Sequence, residues 1–486
     1  MKHRSFEDGA PLMSDLYSIK YMAEALHNGR ADEIVAFDLF YRKNPYDNGF
    51  AVAAGLEQAI AYIKKLGFYS EEIIYLKEIN PAFDDYEFVS ELASFMFTGD
   101  IKAVPEGTVV FPNEPLVRVV TRLFEAPLIE VALANIIGHQ TLIATKSNRI
   151  VRAAEGRPVM EFGARRAYGG DAAIYGARAA IIGGCSATSL VAAGMEFGVR
   201  IAGTHPHALV MEVEDELEAF REHTRTYPDE AVLLVDTFDM LKSGVPNAIT
   251  ALSELLATHT PKMYGIRIDS GDLAYLSKAA RKMLDEAGLR DAKIIASNDL
   301  DEYKIRDLIQ QGAKIDSFGV GTSLVSGAGA SSLGDVYKLA AVQTDGEWKP
   351  RIKHSENVGK ITNPGLKKVV RLVVDGFATA DLIMLEDEQI PEQPFDIFDP
   401  EHTWKRKTIN GATAKNLMVD VFKNGNLVYD PPSIGDIKKH LEEDMSLFSE
   451  ENKRLFSPHE YHVDLSNGLY KMKMDLLESV ARKVRS

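Results

Sequence analysis

The chain has 486 residues, too many for one ordinary core, and its 45% hydrophobic and 26% charged content suits a protein folded throughout in two or three domains. A formal net charge of −16 excludes a general nucleic-acid binder and a peripheral protein of anionic membranes, since both need a basic surface; the expected partners are small molecules or proteins. One cysteine, Cys185, makes an internal disulfide impossible, the opening MKHRSFEDGAP has no apolar signal region, and no apolar run approaches the roughly 20 residues that span a bilayer, so a reducing cytoplasm is expected.

Residues 1–145 read as an α+β domain, with a helix in SDLYSIKYMAEALHNG, a strand in EIVAFDLFYRK, a helix from Gly55 and β-rich flanks around GTVVFPNEPLVRVV. Residues 146–335 alternate short apolar runs with helical stretches. Strands are expected at PVMEFGARR, IIGGCSAT, VRIAGT, AVLLVDT, YGIRID, KIIASND and IDSFGVG. Between them lie helical segments such as ALVMEVEDELEAFREH and DLAYLSKAARKMLDEAGL, the second entered by Ser270, Gly271 and Asp272 and closed by Gly288. Seven strands in such a series predict an irregular α/β barrel, whose strand C-termini open on a single face. Residues 336–486 return to strands (DVYKLAAVQ, WKPRIKHS, KKVVRLVVDG) expected to pack back on the N-terminal domain, followed by a loop-rich, charged C-terminal extension ending in a helix.

Six of the barrel strands end in polar residues that core packing does not require: Arg165 and Arg166; Thr204 with His205 and His207; Asp236 and Thr237; Asp269 to Asp272; Ser297 to Asp299; and Gly319 to Ser323. Asp, Ser, Asn and Gly also cap helices and make turns, so any one of them has an ordinary explanation. Repetition at strand after strand favours an active face. Lys146, Arg149, Arg152, Arg157, Arg165 and Arg166 are opposed locally only by Glu155 and Glu161, a charge reversal that suggests an anion site, with Arg149 and Arg152 the members that a solvated helix face also explains. Gly319 and Gly321, before Thr322 and Ser323, suit a phosphate cradle in a late βα loop. Asp269 is read as a hydrogen-bond acceptor for ribose hydroxyls or a Mg²⁺ ligand, and Asp272 as a helix cap.

Three readings fit the pair in GTHPHALV. The first is a metal clamp of the HxH kind found in barrel hydrolases, against which stands the lack of histidines at later strand ends. The second is a phosphoryl-accepting imidazole. The third is two turn histidines with satisfied hydrogen bonds. Chemistry by itself leaves the three open.

The motifs SDLYSIKYM, AFDLFYRKNPYDNGFAVAAGLE, EFGARRA, AGTHPHA, LLVDTFDMLKSGVPNA, RIDSGDL, SNDLDEY, GVGTSL and GKITNPGLKKVVRL together resemble the nicotinate phosphoribosyltransferase family over nearly the whole chain. The resemblance implies a type II phosphoribosyltransferase barrel and a homodimer with shared active sites. It implies an enzyme that forms nicotinate mononucleotide and pyrophosphate from nicotinate and phosphoribosyl pyrophosphate, with coupled ATP hydrolysis and Mg²⁺, in NAD salvage. On the family pattern G-T-x-x-H, His207 is the phosphorylated histidine and His205 falls at a variable position. Arg165 is implied to meet the anionic substrates, Asp269 the ribose or Mg²⁺, and Ser297, Asn298, Gly319, Gly321 and Thr322 the 5-phosphate. Tyr17 from the other subunit would stack on the nicotinate ring, with Arg267 or Arg165 at its carboxylate, and Phe162, Arg166 and Thr204 complete the implied substrate-binding set. The basic segment of Lys353, Lys360 and Lys367 is a candidate to close over phosphates. Rival readings are a nicotinamide phosphoribosyltransferase, which would need a carboxylate to read the amide, the HxH metallohydrolase, and a silent nucleotide-sensing module.

Overall fold

The computed structural model describes residues 4–390, 394–400 and 402–485. Two compact units form, Met1–Leu142 with Ser332–Ser486, and Ile143–Ser331.

In the first unit the strand Ile34–Tyr41 carries aliphatic and aromatic side chains on both faces and is buried almost throughout. It pairs antiparallel with Val117–Arg122 on one side and with Asp335–Thr344 on the other, so segments about 300 residues apart in sequence share one sheet. Seven strands join this sheet, in the order 347–350, 335–344, 34–41, 117–122, 100–103, 419–423 and 426–427. A second sheet has the order 413–416, 367–374, 377–385 and 462–465. Asp345–Gly346, Asp375–Gly376 and Asn424–Gly425, every residue at positive φ, make the two-residue turns of three hairpins. The C-terminal extension is richer in structure than its loop-like composition suggests, because strands of two to five residues such as Arg406–Ile409 and Val419–Lys423 are too short to show a periodicity.

The second unit holds a parallel sheet of six strands in the order 187–188, 159–161, 317–320, 293–296, 263–268 and 230–234. Its curved half-barrel falls short of the expected seven strands. Among the described residues VRIAGT contributes a single parallel bridge, Ile201 to Thr188, before Gly203 and Pro206 end regular pairing. IIGGCSAT yields a strand only at Ala187–Thr188. Its apolar start instead finishes the helix Gly170–Ile182, and Gly183 lets that helix approach Ala144, whose carbonyl oxygen would lie 2.3 Å from a Cβ there. The stretch ALVMEVEDELEAFREH divides into His207–Met211 and Glu216–Thr226, because Asp215 caps the second helix through the amide of Leu217 at 3.0 Å. Among the described residues no helix is long and apolar enough to cross a membrane.

Candidate active site

Parallel pairing sets the strand ends level. Leu234 pairs with Arg267, Ile268 with Ala296, Ala296 with Phe318 and Val320 with Glu161, so Asp236, Asp269, Ser297, Gly321 and Phe162 leave the sheet on one face. That face carries the polar network.

Arg267 is its hub. Its Nε donates to Ser297 Oγ at 2.8 Å, one terminal nitrogen to Thr204 Oγ1 at 3.0 Å and the other to Asp269 Oδ1 at 2.8 Å. Ser297 Oγ also donates to Asp269 Oδ1, which leaves Asp269 Oδ2 without a hydrogen-bond partner among the described residues. Asp236 is the second acceptor. Its Oδ2 takes the Asp269 amide at 2.9 Å and the Ser270 hydroxyl at 2.6 Å, while Oδ1 meets His207 Nε2 at 3.2 Å. The Asp236 side chain is 3% exposed and that of His207 39%, so the carboxylate is fixed from below and the imidazole reaches solvent.

His205 and His207 therefore part company. His205 is buried with both ring nitrogens engaged, Nε2 by the Leu234 amide and Nδ1 by the Pro206 carbonyl. No lone pair is left for a metal shared with His207, and among the described residues no group of three or more His, Cys, Asp or Glu is arranged to hold one. The HxH clamp does not form.

The other predicted residues sort by exposure. Arg165 and Arg166, in the turn Ala164–Arg166, are exposed, and neither side chain carries a hydrogen bond or ion pair among the described residues. Phe162 lies under the last strand. A Cβ at Gly319 would stand 2.5 Å from its ring, and the Arg267 guanidinium carbon sits 5.8 Å from its centroid. Glu161, just before it, accepts the Gly163 amide and, at 2.7 Å, the Thr188 hydroxyl, tying two strand ends together; burial holds its carboxyl above the usual range. Gly163 in turn packs on Gly321, whose carbonyl oxygen would lie 2.7 Å from a Cβ there. Thr322 is exposed, while Ser323 anchors the neighbouring loop through Leu300 O at 2.7 Å. Ser297 is buried and spends its hydroxyl within the network, whereas Asn298 and Asp299 are exposed with φ of 97° and 41°. Strained backbone of this kind gathers at ligand loops. Asp272 is the helix cap, accepting the Tyr275 amide at 2.9 Å.

Part of the basic cluster is structural. Lys146 and Arg149 are buried, not solvated, and grip Glu302 at 2.6 and 3.0 Å. Arg157 donates to Ile315 O at 3.1 Å and Arg152 to Asn148 at 3.0 Å. Lys367 is likewise no mobile surface lysine. It is 3% exposed, bound to Asp38 at 2.7 Å and to two carbonyls, while Lys353 and Lys360 are exposed. Tyr17 belongs to the first unit, on the helix Leu16–His27, 52% exposed, its hydroxyl pushed up to about 12 by burial and by Glu130.

Asp236 as the partner of His207 is the residue sequence reasoning missed, having placed it only among the strand-end acids. No local signal marks the pairing, since His207 and Asp236 lie 29 positions apart and meet only across the folded sheet.

Three family models cover the chain. Residues 12–138 match the nicotinate phosphoribosyltransferase (NAPRTase) N-terminal domain, residues 158–390 the nicotinate phosphoribosyltransferase (NAPRTase) family, and residues 366–473 the nicotinate phosphoribosyltransferase C-terminal domain. The chain is 45% identical over 481 residues to nicotinate phosphoribosyltransferase of Bacillus subtilis (strain 168), covering 98% of this chain and 97% of that one. The crystal structure of human nicotinic acid phosphoribosyltransferase superposes with a TM-score of 0.83 at 26% identity, over 96% of this chain and 99% of that one. That of nicotinate-nucleotide pyrophosphorylase from Pyrococcus furiosus shares the fold, with a TM-score of 0.70 at 23% identity over 92% of this chain and 98% of that one.

Proposed function

This chain belongs to the nicotinate phosphoribosyltransferase family, and from that premise we propose that it joins nicotinate to phosphoribosyl pyrophosphate in NAD salvage, with ATP hydrolysis coupled through a phosphohistidine at His207. The observation that carries the reading is the His207–Asp236 contact beside the Arg267–Asp269–Ser297–Thr204 network on an open face. A carboxylate on Nε2 keeps the proton there and leaves Nδ1 with its lone pair as the nucleophile. The Nδ1–Pγ bond forms as the bridging Pγ–O bond of ATP breaks and ADP departs. Water later cleaves the phosphohistidine to inorganic phosphate. Such a transfer depends on positioning and charge neutralisation, which exposed Arg165 and Arg166 supply.

In the pentosyl step the C1–O bond to pyrophosphate breaks and the pyridine nitrogen bonds to C1, with no side-chain nucleophile. Phe162 offers a face to the ring, and Arg165, free of internal partners, faces its carboxylate. Arg267 is committed to three partners and instead holds Asp269, Ser297 and Thr204 in place. The backbone of Asn298 and of the Gly319–Thr322 loop suits the 5-phosphate. Asp269 Oδ2 and the substrate phosphates fit hydrated Mg²⁺, which prefers a few hard oxygens and when bound would offset the charge of departing pyrophosphate. Closure of the half-barrel as an irregular seven-stranded barrel, and a homodimer in which Tyr17 of a second copy covers the ring, complete the reading.

Incubation with γ-labelled ATP is expected to give an acid-labile, base-stable label that His207→Ala abolishes and His205→Gln retains. Nicotinate is expected to turn over and nicotinamide not. Mixing Tyr17→Ala and His207→Ala proteins should restore ATP-stimulated turnover through mixed dimers, and no restoration would remove the shared site.

A further inference from the structure

His205, whose role the family resemblance leaves unnamed, has the more constrained environment of the two histidines. It is 3% exposed, and its Nε2 accepts the Leu234 N–H at 2.9 Å. A backbone N–H only donates, so the proton of a neutral ring stands on Nδ1, facing the Pro206 carbonyl at 3.3 Å. Burial, and then His223 with its ring centroid 4.7 Å away, lower the pKa to about 4; Arg267 and His207 act in the same direction. The ring is thus the neutral acceptor that this bond requires at any pH near neutrality.

Leu234 is the last residue of the sheet's edge strand. On its inner side that strand pairs with Met263–Ile268, and the Val235 amide reaches Arg267 O at 3.2 Å. The outer side has no strand partner among the described residues, since regular pairing of the neighbouring segment stops at Ile201. A buried amide left open there would lose its hydrogen bond to water with nothing in exchange. Pro206, having no N–H, could not donate to a backbone ladder. Two residues along, His207 meets Asp236 as His205 meets Leu234, and both contacts span 29 positions. Residues 205–207 therefore lie alongside 234–236 in the same order, tied by two imidazole rings and not by backbone pairing.

We propose that His205 is the positioning residue for His207: by accepting the open-edge amide of Leu234 it holds the His-Pro-His segment in register, so that the His207 ring rests on Asp236. The role rests on the phosphohistidine reading only for its catalytic consequence. The segment is held by a side-chain acceptor at position 205, which an apolar residue there would not supply.

The test compares the full-length wild type with His205→Phe, which keeps a planar ring without an acceptor, and His205→Gln, whose side-chain oxygen can reach the amide. With γ-labelled ATP the Phe protein is expected to label at least about tenfold more slowly, and the Gln protein within about threefold of wild type. KM values for nicotinate and phosphoribosyl pyrophosphate without ATP should stay unchanged, and Leu234 amide exchange should accelerate in the Phe protein alone. Wild-type labelling by a folded Phe protein, or labelling by a folded Gln protein as slow as that of Phe, overturns the proposal. If the Phe protein does not fold, the Gln protein decides: fast labelling with a protected Leu234 amide supports the role, and slow labelling with a protected amide overturns it. A wild type that takes no label sinks the phosphohistidine reading separately. The positioning role is then judged by the Leu234 amide and the His207 imidazole NMR signals, which must both move in the Phe protein and return in the Gln protein.

Discussion

The two units each build a centre from an arginine, two aspartates and neighbouring hydroxyls, and the two centres do opposite things. In the first unit Arg371 is fully buried. It holds Asp381 at 2.9 and 2.7 Å, Asp444 at 2.9 Å and the Val109 carbonyl at 2.7 Å, while Tyr461 donates to Asp381 at 2.9 Å. Every edge of the guanidinium faces protein, and the Phe448 ring closes over it at 4.9 Å. In the second unit Arg267 has three similar bonds, but its side chain is 18% exposed, that of Asp269 28% and that of His207 39%. The first centre clasps three strands and a helix; the second presents one carboxylate oxygen and one imidazole outward. Residue type is common to both, and exposure of the last atom separates structure from chemistry.

The comparison can be broken from either side. Arg371→Ala should be the largest effect, leaving Asp381 and Asp444 buried beside an empty space and costing about 3–5 kcal/mol in denaturant unfolding. Stability unchanged by that substitution would mean that the Arg371 bonds do not hold the centre together. Asp236→Asn should do the reverse, slowing phosphorylation by about a hundredfold with little change in melting temperature, because the shape is retained while the carboxylate that orients His207 is lost. A fall in stability without a fall in labelling would reassign it.

Asp335 sharpens the contrast, being a half-buried carboxyl with no ion pair among the described residues. Burial pushes its pKa up to about 7, and its Oδ2 has no partner among the described residues. The folded form therefore favours the protonated acid. Its contribution is present below the ordinary carboxyl pKa near 4 and is lost as pH rises through about 7. Asp335→Asn should flatten that part of the stability-versus-pH curve and raise neutral-pH stability by about 1 kcal/mol or more; an unaltered curve would show that the carboxyl is solvated. Asp272→Ala is the smallest expected change, about 1 kcal/mol of stability through a lost helix cap with turnover intact. A large loss of activity would move Asp272 into the site.

Much of the site was legible because its residues sit at punctuation. Polar side chains follow each apolar run, and the strand ends that present them were readable as a series. The hairpin turns Asp345–Gly346, Asp375–Gly376 and Asn424–Gly425 and the Asp272 cap are equally local signals. Illegible were the partners. Lys146 reads as an anion binder and Arg149 as an anion binder or part of a solvated face, but Glu302, more than 150 positions away, takes both. Lys367 looked mobile until Asp38 buried it. The run IIGGCSAT read as a strand because a short apolar stretch suits a buried helix end equally well.

The sequence alone determined the periodicities, the turns, the caps and the motif set by which family membership is recognised, since each depends on neighbours within a few residues. Only the tertiary structure decided which charges are consumed by structure and how the two histidines of His-Pro-His divide their work. Burial and hydrogen-bond saturation are properties of contacts between distant segments: Leu234 faces one ring and Asp236 the other, and those contacts exist only once the sheet has formed.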